Sequence, residues 1–276
     1  PVAGAPVTAT RSVTQSVRVP TDALGRYQMS LLAGTYTVTA SAFGFSPTSA
    51  LNVPITAGET TQVSLALSAM PTATVVGRVT DLMSGLPLTA TVAALDTPRT
   101  TRADADGYYT LTLPVGTYTL RARIAAHRVA SATLTLGAAQ VVTRDFALVS
   151  APTILLMDSG AWYGSSMVGY YQTALDGLAY FYETHTITNS VMSVPTITTL
   201  RPYQIVVWSS PLDSPGYVGA DDTLVRYFDG GGRLFLSGQD IAFWDGGGYF
   251  LAEYFYTRLH AYLEDDLALA VKASGI

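Results

Sequence analysis

Asp158, Ser237 and Asp240 are the side chains best placed to hold a small polar ligand. Each falls at the carboxyl end of a predicted strand, where Ser209 and Asp213 also lie, and open α/β sheets bind ligands at that end. Carboxylates and hydroxyls gathered there suit a metal ion or a small polar molecule, with Asp158 and Asp240 as the first pair to consider. The same residue types also cap helices and solvate loops, and that reading stands beside the first. Ser237 and His260 could be imagined as a nucleophile and its base. However, His260 falls inside a predicted helix over 249–263, and no Gly-x-Ser-x-Gly elbow surrounds Ser237.

Other chemistries are excluded. The chain has no cysteine, which removes disulfides, thiolate catalysis and Cys-based zinc sites together. His127 and His185 are isolated from any metal-ligand spacing, and Asp158-Ser159-Gly160-Ala161-Trp162 is no phosphate-cradling glycine loop. Asp104-Ala105-Asp106-Gly107 opens like a calcium loop but lacks the downstream glutamate, so it reads as a turn. No catalytic residue, metal or cofactor is expected, and the chain reads as a non-enzyme.

The elements that position these residues follow from length and composition. The 276 residues are enough for two average domains, or three if some are small, and 49% apolar against 13% charged residues describes a globular chain. Net charge is −5, divided as +3 before residue 151 and −8 after it, so neither half has the basic surface a nucleic-acid backbone requires. No apolar run approaches the roughly 18 to 20 residues of a membrane span, and no basic-then-apolar export signal opens the chain. The absence of cysteine fits an exported bacterial-type protein.

Residues 21–45 repeat at an offset of 82, with ten of 25 positions identical. Tyr27, Met29 and Leu31, followed by Tyr36, Val38 and Ala40, alternate with polar residues. The second copy repeats the pattern with Tyr109, Leu111 and Leu113, then Tyr118, Leu120 and Ala122. Period two predicts a half-buried antiparallel hairpin, with Gly34 or Gly116 at a turn position of positive φ.

Gly77-Arg78-Val79-Thr80-Asp81, Gly85-Leu86-Pro87-Leu88, Ala103-Asp104-Ala105-Asp106-Gly107-Tyr108-Tyr109 and Leu113-Pro114-Val115-Gly116-Thr117-Tyr118-Thr119-Leu120 together resemble the carboxypeptidase regulatory-like (transthyretin-like) β-sandwich family. The resemblance implies two seven-stranded Greek-key sandwiches without catalytic residues, over 1–68 and 71–149. It also implies the spacer or adhesion role such modules have on secreted and cell-surface proteins. The first copy has no counterpart of 74–86, so it is expected to lack its first strand and to expose a strand-complementation groove along Pro6, Val7, Thr8 and Ala9.

After Ala151-Pro152 the pattern changes to continuous apolar strands, Thr153–Met157, Gln204–Trp208 and Arg233–Leu236, alternating with helical stripes. One stripe is Val168, Tyr171, Leu175, Leu178 and Tyr182, a second is Leu224, Val225 and Phe228, and a third is Leu251, Tyr254, Phe255, Leu259 and Tyr262. Alternating strand and helix predicts a doubly wound α/β sheet over 153–276. Leu155–Asp158, Tyr203–Trp208 and Phe228–Asp240 resemble the class I glutamine amidotransferase-like (flavodoxin-like) domains found beside secreted subtilisin-like proteases, but without their Cys nucleophile. That family's C-terminal strands and helix do not follow, so this domain, like the first, is expected to be incomplete.

The reading is a non-catalytic structural or adhesion segment of an exported cell-surface protein. Its partners are expected to be proteins, either a second copy or the rest of a longer parent chain, with no nucleic acid. Leu267, Leu269 and Val271 alternate as a donor strand must, so copies could join head-to-tail into an extracellular filament. Accessory domains of a secreted subtilisin-like protease, with the catalytic domain outside these residues, are the alternative.

Overall fold

The computed structural model describes residues 1–276 except 13, 14, 163, 191, 262 and 264–276. Six strands form the first β unit: β1 (Pro6–Ser12), β2 (Gln15–Pro20), β3 (Gly34–Ala40), β4 (Phe45–Ser46), β5 (Thr48–Ile55) and β6 (Ser68–Ala69). Eight form the second: β7 (Thr72–Asp81), β8 (Thr91–Ala94), β9 (Thr100–Arg102), β10 (Tyr108–Pro114), β11 (Gly116–Arg123), β12 (Ala130–Leu136), β13 (Val141–Thr143) and β14 (Phe146–Leu148).

The second unit is a two-layer sandwich. One sheet runs β12-β11-β8-β9; the other has β7 between β10 and the pair β13 and β14. Along β7, Ala73, Val75, Gly77 and Val79 turn inward, while Thr74, Val76 and Thr80 lie on the outer face. Leu113, Leu120 and Leu148 are fully buried where the layers meet, each contributing about 1.5–3 kcal/mol.

The expected hairpin is corrected. β10 pairs with β7 and β11 with β8 and β12, so these consecutive strands lie in opposite sheets. Alternation fixes which side chains face the core, and both strands face it, but from opposite sides. Gly116 at φ +151° carries the chain across, as Gly34 does at +154° in the first copy.

In the first unit the sheet β2-β1-β3-β5 matches β9-β8-β11-β12 of the second. The groove expected along Pro6–Ala9 is corrected too. Pro6 faces Pro20, Val7 and Ala9 face Ala40 and Val38, and β1 is paired on both sides. The missing strand belongs to the opposite sheet, so the opening lies over the inner face of β1 rather than along its edge.

The third unit has four parallel strands in the order β16-β15-β17-β18: β15 (Ile154–Asp158), β16 (Tyr182–Thr186), β17 (Ile205–Ser210) and β18 (Arg233–Gly238). Its connections carry α1 (Val168–Gly177), α2 (Ile197–Leu200) and α3 (Asp221–Asp229), and α4 (Ile241–Asp245) and α5 (Glu253–Thr257) follow β18. Leu155, Met157, Val206 and Trp208 pack with Leu200, Leu224, Tyr254 and Phe255 in one core.

Two helical stripes are corrected. Tyr182 belongs to β16 rather than to the helix of Val168, and the stripe over 251–262 shortens to α5. His260 has φ +50° outside α5. Tyr262 and the donor segment Leu267–Val271 lie outside the described residues.

The second and third units are joined along residues 125–129. Ala151 N–H donates to Ala126 O at 2.8 Å, and Val129 N–H to Ala179 O at 2.8 Å. The Arg128 guanidinium lies 4.6 Å from the centre of the Tyr180 ring.

Candidate functional site

Two places on the molecule could bind something. The first is the carboxyl end of the parallel sheet, where Asp158, Ser209 and Ser237 occupy one row of three adjacent strands. Asp158 and Ser237 are therefore two strand spacings, roughly 10 Å, apart. Asp158 is buried; its Oδ2 accepts from Ser166 Oγ at 2.8 Å, and its Oδ1 has no hydrogen-bond partner among the described residues. Ser237 is half-buried, and Asp240 is exposed at φ +61° ahead of α4.

The strongest polar network here involves residues the sequence did not single out together. Asp213 is fully buried and accepts from Ser159 Oγ at 2.6 Å, Trp162 Nε1 at 2.8 Å and Ser210 Oγ at 2.5 Å. Asp245, also fully buried, accepts from Ser214 Oγ at 2.5 Å, Gly216 N–H at 3.0 Å and the Tyr254 hydroxyl at 2.5 Å. Burial pushes the Asp245 carboxyl above its ordinary range, and the Tyr254 hydroxyl is raised by burial and by the neighbouring carboxylate. Internal donors occupy these carboxylates, so the network fixes the loops after β17 and α4. The only trace in the sequence was the run Ser209-Ser210-Pro211-Leu212-Asp213-Ser214, polar immediately after an apolar strand.

Among the described residues, Ser237 and His260 are not brought together. His260 is exposed on the loop after α5. Among the described residues no group of three or more His, Asp or Glu could hold a metal ion. Asp104 Oδ1 accepts from the N–H groups of Asp106 and Tyr108 at 3.0 and 2.8 Å, which makes the Asp-x-Asp-Gly string a turn.

The second place is a groove of about 1180 Å3 in the first β unit. Its floor is the inner face of the four-stranded sheet, with Val7, Val38, Ala40 and Val53 all buried. Two extended segments wall it, one carrying Tyr27, Met29 and Leu31, the other Val63, Leu65 and Leu67. All six are half-buried, whereas the counterparts of Tyr27, Met29, Leu31, Leu65 and Leu67 in the second unit, Tyr109, Leu111, Leu113, Phe146 and Leu148, are buried. The difference is β7, which fills the second unit and has no equivalent in the first among the described residues. Without it, the N–H groups of Tyr27–Leu31 and Gln62–Leu67 make no backbone hydrogen bond among the described residues. Of Pro6, Val7, Thr8 and Ala9, only Val7 lines the groove.

Comparison with known proteins bears on the β units. A family model described as the carboxypeptidase regulatory-like domain matches residues 1–68 and 74–149. No curated protein matches the chain. Among solved structures, a streptococcal ancillary pilin is 16% identical over 55% of this chain and 58% of its own, with a TM-score of 0.35. The minor pilin of Streptococcus agalactiae is 12% identical over 55% and 85%, with a TM-score of 0.33. A type II cohesin–X-dockerin complex from Acetivibrio cellulolyticus is 20% identical over 28% and 58%, with a TM-score of 0.24. The chain spans 58% of that complex's chain and 33% of the Bacillus anthracis TIE protein, less than two thirds of either.

Proposed function

From the premise that the chain belongs to the carboxypeptidase regulatory-like domain family, we propose that it is a non-catalytic structural and adhesive segment of an exported, cell-surface protein. The two family domains occupy 1–68 and 71–149. The α/β unit over 153–276 is an amidotransferase-like, flavodoxin-like fold that has lost its nucleophile.

The observation that carries this reading is the groove, a site shaped for polypeptide rather than for a small molecule. Its walls are apolar at alternate positions and its backbone donors are unpaired, which is how a sheet receives a strand. The partner is accordingly protein. Among the described residues no helix is long and apolar enough to cross a membrane. Asp213 after β17 and Asp245 at the end of α4 support the non-catalytic reading, because both are saturated by internal donors. Asp158, Ser237 and Asp240 are left as a candidate small-ligand site. Head-to-tail filament growth is a second use of the groove, open to any copy whose tail supplies the strand.

Protease shaving of intact source cells tests the location and role. Release of fragments containing 1–276 from the cell surface, together with no ester, amide or peptide hydrolysis by the purified chain, is the expected result. Recovery only from the cytoplasm, or turnover abolished by Ser237→Ala in a folded protein, overturns the proposal.

A further inference from the structure

We propose that the cleft where the second β unit meets the α/β unit binds an acidic sugar, its carboxylate held by Arg102 and Arg123 and its ring laid against Phe181 and Tyr182. The inference goes beyond the structural-segment reading: it uses neither the groove nor the strand-end acids, and it stands or falls without them.

Register builds the cationic side. Thr91 of β8 pairs with Arg102 of β9 on one side and with Arg123 of β11 on the other, so the three lie in one row across the sheet. Val92 and Ala122, next to them in sequence, are buried in the sandwich core, which puts the row on the outer face. The two arginine Cα atoms stand two strand spacings apart, roughly 10 Å, with a threonine between them. Side chains of that length can converge from both sides on one anion. Neither guanidinium forms an ion pair with a carboxylate among the described residues. Arg102 donates to Thr89 O at 3.2 Å through Nε, which steadies the side chain and leaves its terminal N–H groups as the remaining donors. Arg121, two residues before Arg123 on the same face, adds positive charge, and its buried Nε has no hydrogen-bond partner among the described residues.

The α/β unit supplies the other wall. The hydrogen bond from Val129 to Ala179 and the contact of Arg128 with the Tyr180 ring pin that segment to the β unit. Phe181, Tyr182 and Glu183 follow directly and close the cleft at about 460 Å3, the size of a site for one small ligand.

These groups select the ligand together. A guanidinium matches its planar fork to a carboxylate. An aromatic face, negative at its centre, receives the C–H bonds of a pyranose ring. Glu183, the one acid among the lining residues, accepts from the Tyr203 hydroxyl at 2.6 Å through Oε2, and its Oε1 can accept from a sugar hydroxyl. Inorganic phosphate would use the arginines but neither the rings nor Glu183, and a neutral sugar would leave both arginines without an anion.

The experiment titrates the 276-residue chain with glucuronate, galacturonate, glucose and inorganic phosphate, followed by the backbone and arginine side-chain N–H signals in NMR spectra. At least one uronate should shift the signals of 89–91, 102, 123–125 and 181–183, and should bind roughly tenfold or more tightly than glucose or phosphate. Arg102→Gln and Arg123→Gln should each weaken that uronate roughly tenfold or more, whereas Arg18→Gln, on β2 of the first unit, should leave it unchanged. Spectra of the unliganded variants check that each is folded. Absence of saturable shifts with both uronates, or unaltered binding in both cleft variants, overturns the site. Phosphate binding as tightly as either uronate overturns the sugar, and glucose doing so overturns the role of the arginines. Cell-surface shaving reads the structural role separately, so either proposal can fail alone.

Discussion

His127 Nε2 lies 3.1 Å from Asp81 Oδ2, linking the loop after β11 to the end of β7. The same carboxylate accepts from the Ser84 N–H and hydroxyl at 2.7 and 2.8 Å and from the Ser150 hydroxyl at 2.7 Å. One side chain therefore closes the β7 turn, anchors the β11 loop and holds the segment leaving the second β unit.

These donors favour the ionised form, led by the Ser84 N–H, so the Asp81 carboxyl is held well below its usual range. A depressed folded value gives stability that is full above the ordinary carboxyl value, about pH 4, and is lost as pH falls below it. Hydrogen exchange of β7 and β14 should accelerate in that acid range. Asp81→Asn should be less stable at neutral pH and show a flatter acid dependence.

Gly77→Ala should unfold the second β unit, at a cost of at least about 3 kcal/mol, because its methyl meets the Arg144 carbonyl as well as the Tyr109 ring. Gly137→Ala, whose Cβ finds only the Gln140 side chain at 3.5 Å, is the control. Circular dichroism melting distinguishes them: loss of a transition for the first variant and an unchanged curve for the second are expected.

Equivalent leucines should differ in value. Leu113→Ala removes a fully buried side chain and should cost about 2–5 kcal/mol, whereas Leu31→Ala, on the open wall of the groove, should cost clearly less. Urea unfolding of both variants checks this.

The three tryptophans, Trp162, Trp208 and Trp244, all lie in the α/β unit, so their fluorescence reports its unfolding alone. Asp245→Ala strips the acceptor from three donors, Ser214, Gly216 and Tyr254, and should destabilise this unit by about 1–3 kcal/mol for each donor left buried without a partner. Because burial raises the Asp245 carboxyl, its ionisation opposes folding as pH climbs from about 4 through the raised value. Asp245→Asn should remove that component of the pH dependence.

The repeat was legible because alternation survives in both copies, and the inward residues Tyr27, Met29, Leu31, Tyr36, Val38 and Ala40 are those facing the core. Alternation says nothing about which sheet a strand joins, so the cross-sheet turn at Gly116 read as a hairpin, and the absent strand was assigned to the edge of β1 instead of the facing layer. β16, Tyr-Glu-Thr-His-Thr, escaped notice because an edge strand of a parallel sheet needs little apolar surface. Asp213 and Asp245 carry no motif; what unites them is burial beside serines distant in the chain.

The hydrogen bonds from Ala151 to Ala126 and from Val129 to Ala179 leave the second β unit and the α/β unit little freedom to swivel. Pulling on the protein from its two ends should therefore load these bonds together with the β14 strand that leads into the junction, so the pair transmits tension like a welded joint.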